Sequence, residues 1–447
     1  MADARRAGLF GLTGYHWVVL IAAWLGWGFD VFDALLFNFV APNAVPTLLH
    51  IPLGTPEARH ATVFWTGVLT SILLVGWAVG GLAFGWFADR YGRKRALFVT
   101  IALYACGTAL CAVATDLWQL VLFRVIASLG IGGEWAVGAA LVAETVPEER
   151  RVEAATLVYT SSPLGIILAS TVNYQIAGVW LAGTPETSWR YVFLCGLAPV
   201  VVAFLARIFV RESEVWEKQV RNTRPVRLSE LFSADIRALT ISGMIAAVTA
   251  LLTWWACNAF VPLLGATLAN EYAAQSGLVG EAARVLAEGW KSQASNFFNL
   301  GGLIGALAAI PLARIMGRRT MFVSYFLYSA LLLFITFGLD LAPAARLRLL
   351  FLVGMGVYGV FSVFVFYLPE LFPARLRATG SGLCYNIGRL VAALGPTAVG
   401  LISAAAGGSS DIIVRTLFWV GVIPLITALT ARFTLIETRG RSLPALG

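Results

Sequence analysis

The sequence predicts an all-α membrane protein of twelve transmembrane helices arranged as two pseudo-symmetric six-helix bundles. Three observations carry this. Of 447 residues, 59% are hydrophobic and only 13% charged, about half the charge of an ordinary soluble domain. Apolar runs long enough to cross a bilayer recur along the whole chain. The second half also repeats charged signatures of the first about 225 residues later: Arg93 and Lys94 return as Arg318 and Arg319, and Glu144, Pro147 and Arg151 as Glu370, Pro373 and Arg377. A soluble enzyme, a nucleic-acid binder and a disulfide-built secreted protein are excluded at this stage.

The predicted spans lie near 17–40, 61–88, 96–114, 117–143, 154–182, 190–210, 239–268, 290–313, 320–339, 347–369, 378–405 and 412–435. The net charge of +8 comes from Lys and Arg gathered in alternate loops. By the positive-inside rule these loops, and both termini, are cytoplasmic. The first apolar run has no small-residue cleavage site after it and is expected to stay as the first helix. The charged stretch 211–237 is the predicted linker between bundles 1–210 and 238–447. All five cysteines fall inside apolar stretches with no metal-ligand spacing, so they are expected to pack as small hydrophobes. A parallel repeat of six helices places any solute path between the bundles.

The loop after the second span reads Gly85-Trp-Phe-Ala-Asp89-Arg90-Tyr-Gly92-Arg93-Lys94. Gly92 permits a tight turn, and Asp89 can accept a charge-assisted hydrogen bond. Simple basic anchoring would explain the arginines but not Asp89 or the glycines. This loop resembles the signature of the major facilitator superfamily. The resemblance implies that fold, and a gating role for Asp89, Arg90, Gly92 and Arg93. The second copy has Arg314 in place of Asp89. At other helix ends, Glu144 and Glu370, next to Arg150, Arg151, Arg375 and Arg377, are expected to form inner-gate ion pairs.

The fourth span carries Arg124, Ser128, Gly130, Gly132, Gly133 and Glu134, similar to the family pattern of an arginine followed by alternate glycines. Gly132 and Gly133 would allow close helix approach. Arg124 in hydrocarbon needs a counter-charge, and the first span offers Asp30 and Asp33. Spaced three apart, these lie within about 60° on a helix, so both can face one cavity. Asp30 matches the proton-sensitive acid of the family's sugar porters; aromatic acid, sialate and lactate proton symporters resemble it there. Asp30, Asp33, Glu134 and Arg124 are therefore the proton-coupling candidates. A purely structural salt bridge is the alternative.

Arg389 stands about nine residues, roughly 13 Å, into the eleventh span, with no acid in that span. Organic anion transporters and aromatic acid proton symporters carry an arginine at the similar place. A guanidinium held there is a bidentate receptor for a carboxylate, unless it pairs with Asp30, Asp33 or Glu134. Asn386 and Tyr385 one turn away, with Trp254, Trp255, Asn258, Asn296 and Asn299, are the other candidate binding residues. The resemblance implies alternating access, symport of a small organic anion with protons, and residence in the plasma membrane, the inner membrane if the cell is bacterial. A sugar or other neutral solute is the alternative, and a non-transporting receptor the remote one. The expected partners are a small carboxylate, protons and the lipid bilayer, with no nucleic acid. The expected working unit is a monomer without cofactor or metal. The only histidines, His16, His50 and His60, lie near span ends, and no nucleotide-binding loop is present.

Overall fold

The structure is a computed structural model, and it describes residues 12–147, 150–209, 228–373, 376–405 and 410–439. The predicted linker therefore lies mostly outside the described residues. Among them, nine helices are long and apolar enough to cross a membrane. The other three predicted spans, the fifth, sixth and eleventh, are each split into shorter helical pieces. Observed and predicted spans agree in order. The ends differ: the first helix runs Gly14–Leu48 and the eighth Gly280–Met316, because helices continue past the hydrocarbon-like run that hydropathy detects.

Most of the splits have one cause. Helical pieces end at Tyr159, Cys195, Asn258, Ala392 and Val420. Each lies four residues before a proline: Pro163, Pro199, Pro262, Pro396 and Pro424. A proline has no N–H for the carbonyl four residues back, and its ring crowds that carbonyl, so the ladder breaks there. In the fifth span this gives Arg151–Tyr159, then Ser161–Asn173, then a π-helical turn Tyr174–Trp180. The tenth span breaks without a proline, between Pro343–Val357 and Phe361–Leu371.

The sequence repeat is also a structural one. Gly92 joins the second span, Pro56–Tyr91, to the third, Arg93–Val113. Gly317 joins the eighth to the ninth, Arg318–Gly338. Their φ angles are 104° and 90°, a region open to glycine and strained for other residues. Packing within the first half relies on the predicted glycines of the fourth span, Leu117–Thr145. A Cβ on Gly130 would sit 2.6 Å from the Tyr104 nitrogen, and one on Gly132 would strike the Trp77 carbonyl.

Among the described residues, hydrogen bonds join the two halves on the side away from the Gly92 and Gly317 turns. There Ser71 of the second span donates to the Ala393 carbonyl and accepts from Thr397 at 2.6 Å, and Ser170 donates to Asn296 at 2.6 Å. At the end bearing the turns, Arg314 and Glu153 meet across the halves at 3.7 Å, both well exposed. Burial of apolar side chains is continuous through both halves, and the apolar residues that remain exposed, such as Leu82, Trp118, Leu394 and Phe433, face outward where lipid is the solvent.

Candidate functional site

Between the halves lies a narrow cavity of about 30 Å³. The first half contributes Trp27, Val31, Ala34, Leu35, Trp77, Tyr159 and Ser162, and the second Leu251, Trp254, Trp255, Tyr358, Phe361, Tyr385 and Arg389. Three helix breaks put these side chains here. The proline-induced break after Tyr159 turns Tyr159 and Ser162 inward. The break at Tyr358 does the same for Tyr358 and Phe361, and the piece ending at Ala392 presents Tyr385 and Arg389.

Aromatic faces form most of the wall. Trp77 meets Trp255 edge-on across the halves at 6.0 Å and lies 5.8 Å from Trp27. Tyr159 and Phe361, also from opposite halves, are parallel within 7° at 6.4 Å. Trp254 packs on Tyr358 at 5.2 Å. Tyr358 donates its hydroxyl to Ser162 across the halves at 2.6 Å. The indole N–H groups of Trp77 and Trp254 are buried without a hydrogen-bond partner among the described residues, so the wall offers donors.

Arg389 is the cationic group of this wall, and it is 2% exposed. Its guanidinium carbon lies 4.7 Å from the Trp77 ring centre and 4.9 Å from that of Tyr385, within cation–π range. Its Nη1 donates to Asn386 Oδ1 at 3.4 Å. Of the other predicted binding residues, Tyr385, Trp254 and Trp255 line the cavity, and Asn386 reaches it through Arg389. Asn258, Asn296 and Asn299 do not line it. Asn296 bonds Ser170 across the halves. Asn299 donates back to the Ser295 carbonyl of its own helix at 2.8 Å, and Asn258 is buried at the Pro262 break.

Two of the predicted coupling residues, Arg124 and Asp33, meet inside the first half, away from the cavity. Arg124 donates to the carbonyls of Asp33 at 3.2 Å and Ala34 at 2.7 Å, and its Nη1 lies 3.9 Å from the Asp33 carboxylate. Asp33 thus stands beside Arg124, as the sequence suggested. The two acids do not share the cavity, however: the first span lines it with Trp27, Val31, Ala34 and Leu35, a helical stripe that excludes both. Asp30 and Glu134 are also buried.

Among the gate candidates, Arg90 is exposed over Trp86 and Tyr91, and Arg93 is buried. Glu370 takes a bidentate pair from Arg318, at 2.7 and 3.0 Å, and a hydrogen bond from Thr438 at 2.5 Å. The side chains of Asp89, Glu144, Arg151, Arg375 and Arg377 lie outside the described residues. Beside Glu370, Glu437 accepts from the backbone N–H of Arg318, Arg319 and Arg439 at 2.9, 3.0 and 2.9 Å. Partial burial pushes the Glu437 carboxyl up, but those three donors and the Arg318 charge together carry it below its ordinary range.

A bundle of broken helices around a seam cavity, with a repeated glycine turn in each half, is matched by the model for "Major Facilitator Superfamily" over residues 17–396. The chain belongs to the major facilitator superfamily. The family and the relatives found are transporters, so the chain is a multi-pass membrane transporter and not an enzyme. The "Probable 4-methylmuconolactone transporter" of Cupriavidus pinatubonensis is 30% identical, covering 95% of this chain and 92% of that protein. The "Cis,cis-muconate transport protein" of Acinetobacter baylyi is 29% identical over 88% and 93%. In fold, the chain is similar to the solved D-xylose-proton symporter, with a TM-score of 0.72 and 17% identity over 96% of this chain and 100% of that one.

Sequence reasoning missed Trp27, Trp77, Tyr159, Ser162, Leu251, Tyr358 and Phe361 of the wall. A signal was available for two of them. Trp27 lies between Gly26 and Gly28, and Trp77 follows Gly76, both far from the span ends where tryptophans gather.

Proposed function

We propose that this transporter carries a small organic carboxylate together with protons, by alternating access of the seam cavity to the two sides of the membrane. The observation that carries the reading is Arg389, a guanidinium held at an aromatic cavity wall shared by both halves. A carboxylate can take two N–H bonds from it while the apolar body of the solute packs against the rings. The free indole donors suit an acceptor-rich ligand. The relatives named for muconate and 4-methylmuconolactone support an organic acid. The xylose symporter is similar in fold alone.

In this reading the coupling acid is Asp33 beside Arg124, with Asp30 and Glu134 as reserves. Asp89, Arg90, Gly92 and Arg93, with the ion pairs of Glu144, Arg151, Glu370 and Arg377, hold the cytoplasmic gate. The basic end is the cytoplasmic one, with both termini there, and the monomer is the working unit in the plasma membrane. The linker 211–237 divides bundles 1–210 and 238–447.

Counterflow in proteoliposomes tests the reading. Preloaded muconate is expected to drive uptake of labelled muconate, and external carboxylates to compete where sugars do not. Competition by sugars with none by carboxylates would transfer the assignment to a neutral solute, and no counterflow with any solute tried would remove it.

A further inference from the structure

At the end of the seam away from the glycine turns, one ion pair has no place in the proposed solute site or coupling cluster. Lys291 of the eighth span is 1% exposed, and its ammonium lies 2.6 Å from the carboxylate of Glu288, one turn earlier in the same helix. Both charges belong to the second half. What surrounds them belongs to the first: the Lys291 ammonium donates to the Phe39 carbonyl of the first span at 3.0 Å, and the Glu288 carboxylate accepts from the Asn173 amide of the fifth at 2.9 Å. One helical turn further on, Asn296 receives the Ser170 hydroxyl.

We infer that Glu288 and Lys291 form a latch that holds this end of the seam shut, closed by neutral groups of the first half. The inference rests on the alternating-access reading and adds to it the residues that seal one end. Two features make it a latch rather than plain packing. Each bond across the halves has one charged member, so each is stronger than a neutral hydrogen bond. Yet no opposite charges part when the halves separate. The ion pair stays whole on the eighth span, and water can replace one carbonyl and one amide. A buried ion pair divided between the halves would instead leave two bare charges on opening, at a much larger cost. The arrangement closes firmly and still opens.

The test reads the seam directly and needs no solute. Ser292 is 8% exposed beside the latch. Ser292→Cys is prepared with Cys106 and Cys195, the two exposed native thiols, changed to serine. Its reaction with a membrane-impermeant maleimide is then timed in proteoliposomes. Asn173→Ala and Lys291→Met are each expected to raise the rate about tenfold, the population shift produced by losing one hydrogen bond to a charged group. Lys291→Met strands Glu288 and can lower the folded yield. Asn173→Ala leaves both charges in place and decides the matter alone if so. The rate in the parent is expected to be equal at low and high ionic strength, since no charge pair crosses the seam. Unchanged rates in a folded Asn173→Ala protein, or a parent thiol that reacts as fast as an exposed one, would overturn the latch. Because the assay contains no solute, its failure is separable from a failure of counterflow.

Discussion

Arg124 and Arg389 are both buried arginines in the middle of transmembrane helices, yet their surroundings differ in kind. Arg124 is wrapped by the first span, through the carbonyls of Asp33 and Ala34 and the Asp33 carboxylate, so its contacts stay within one half. Arg389 is flanked by the π-faces of Trp77 and Tyr385 and borders a cavity that both halves build. Burial alone therefore does not mark a binding group in this fold. What separates the two is the seam: Arg389 borders a cavity that both halves build, whereas the contacts described for Arg124 all lie within the first half.

The largest expected effects fall on the Arg124 side. Asp33→Asn is expected to abolish pH-driven accumulation while solute exchange, which needs no net proton movement, continues. Uphill uptake retained in Asp33→Asn would move the coupling to Asp30 or Glu134. Arg124→Ala is expected to cost about 3–5 kcal/mol of stability, the range for removing one partner of a buried ion pair. Adding Asp33→Asn to it should restore part of the loss, because the stranded carboxylate is then neutral. Thermal unfolding of the purified variants checks both. A well-folded Arg124→Ala protein with unaltered stability would erase the contrast.

Arg389 should respond the other way, in affinity. Arg389→Lys keeps the charge but loses the fork, and is expected to weaken carboxylate binding by about 1–3 kcal/mol. Arg389→Ala is expected to lose solute-induced thermal stabilisation altogether while its solute-free stability falls less than that of Arg124→Ala. Normal stabilisation of Arg389→Ala by muconate would take Arg389 out of the site. A loss of solute-free stability as large as that of Arg124→Ala would make it a structural arginine instead.

The sequence made some of this plain for physical reasons. Span order follows from hydropathy because lipid demands apolar runs. The Gly92 turn was legible because positive φ leaves a residue-type signature. Arg389 stood out because a cation in an apolar run that contains no acid is costly. Most of the first half's share of the cavity wall was not legible, nor were Tyr358 and Phe361 of the second. In spans apolar all round, which face Trp27, Tyr159 or Tyr358 presents depends on helix rotation and on the proline breaks, and hydropathy reports neither. The latch was hidden for another reason. The eighth span was predicted to begin at 290, which left Glu288 outside it. The polar spacing Glu288, Ser292, Asn296 and Asn299 marks one helical face, and it pointed to a helix–helix seam more than to a binding pocket.

The smallest expected effect sets the floor of the comparison, because it concerns a carboxylate that is only partly buried. Glu437 caps the start of the ninth span through the N–H groups of Arg318 and Arg319, where the positive end of the helix favours an anion. Its folded pKa lies below the ordinary 4.5. A carboxyl depressed on folding adds stability that is fully present above its ordinary value and is lost as pH falls through the folded one. Water and salt screen a group this exposed, so the contribution is expected to be at most about 1 kcal/mol. Glu437→Gln should therefore melt slightly below the parent at pH 7. The gap should hold down to about pH 5 and shrink in stronger acid, as the parent's carboxyl takes up its proton. Melting curves across that range check it. A gap that widens in acid would mean that Glu437 acts through something other than its charge, and a gap comparable to that of Arg124→Ala would show that burial is not what separates large effects from small ones in this protein.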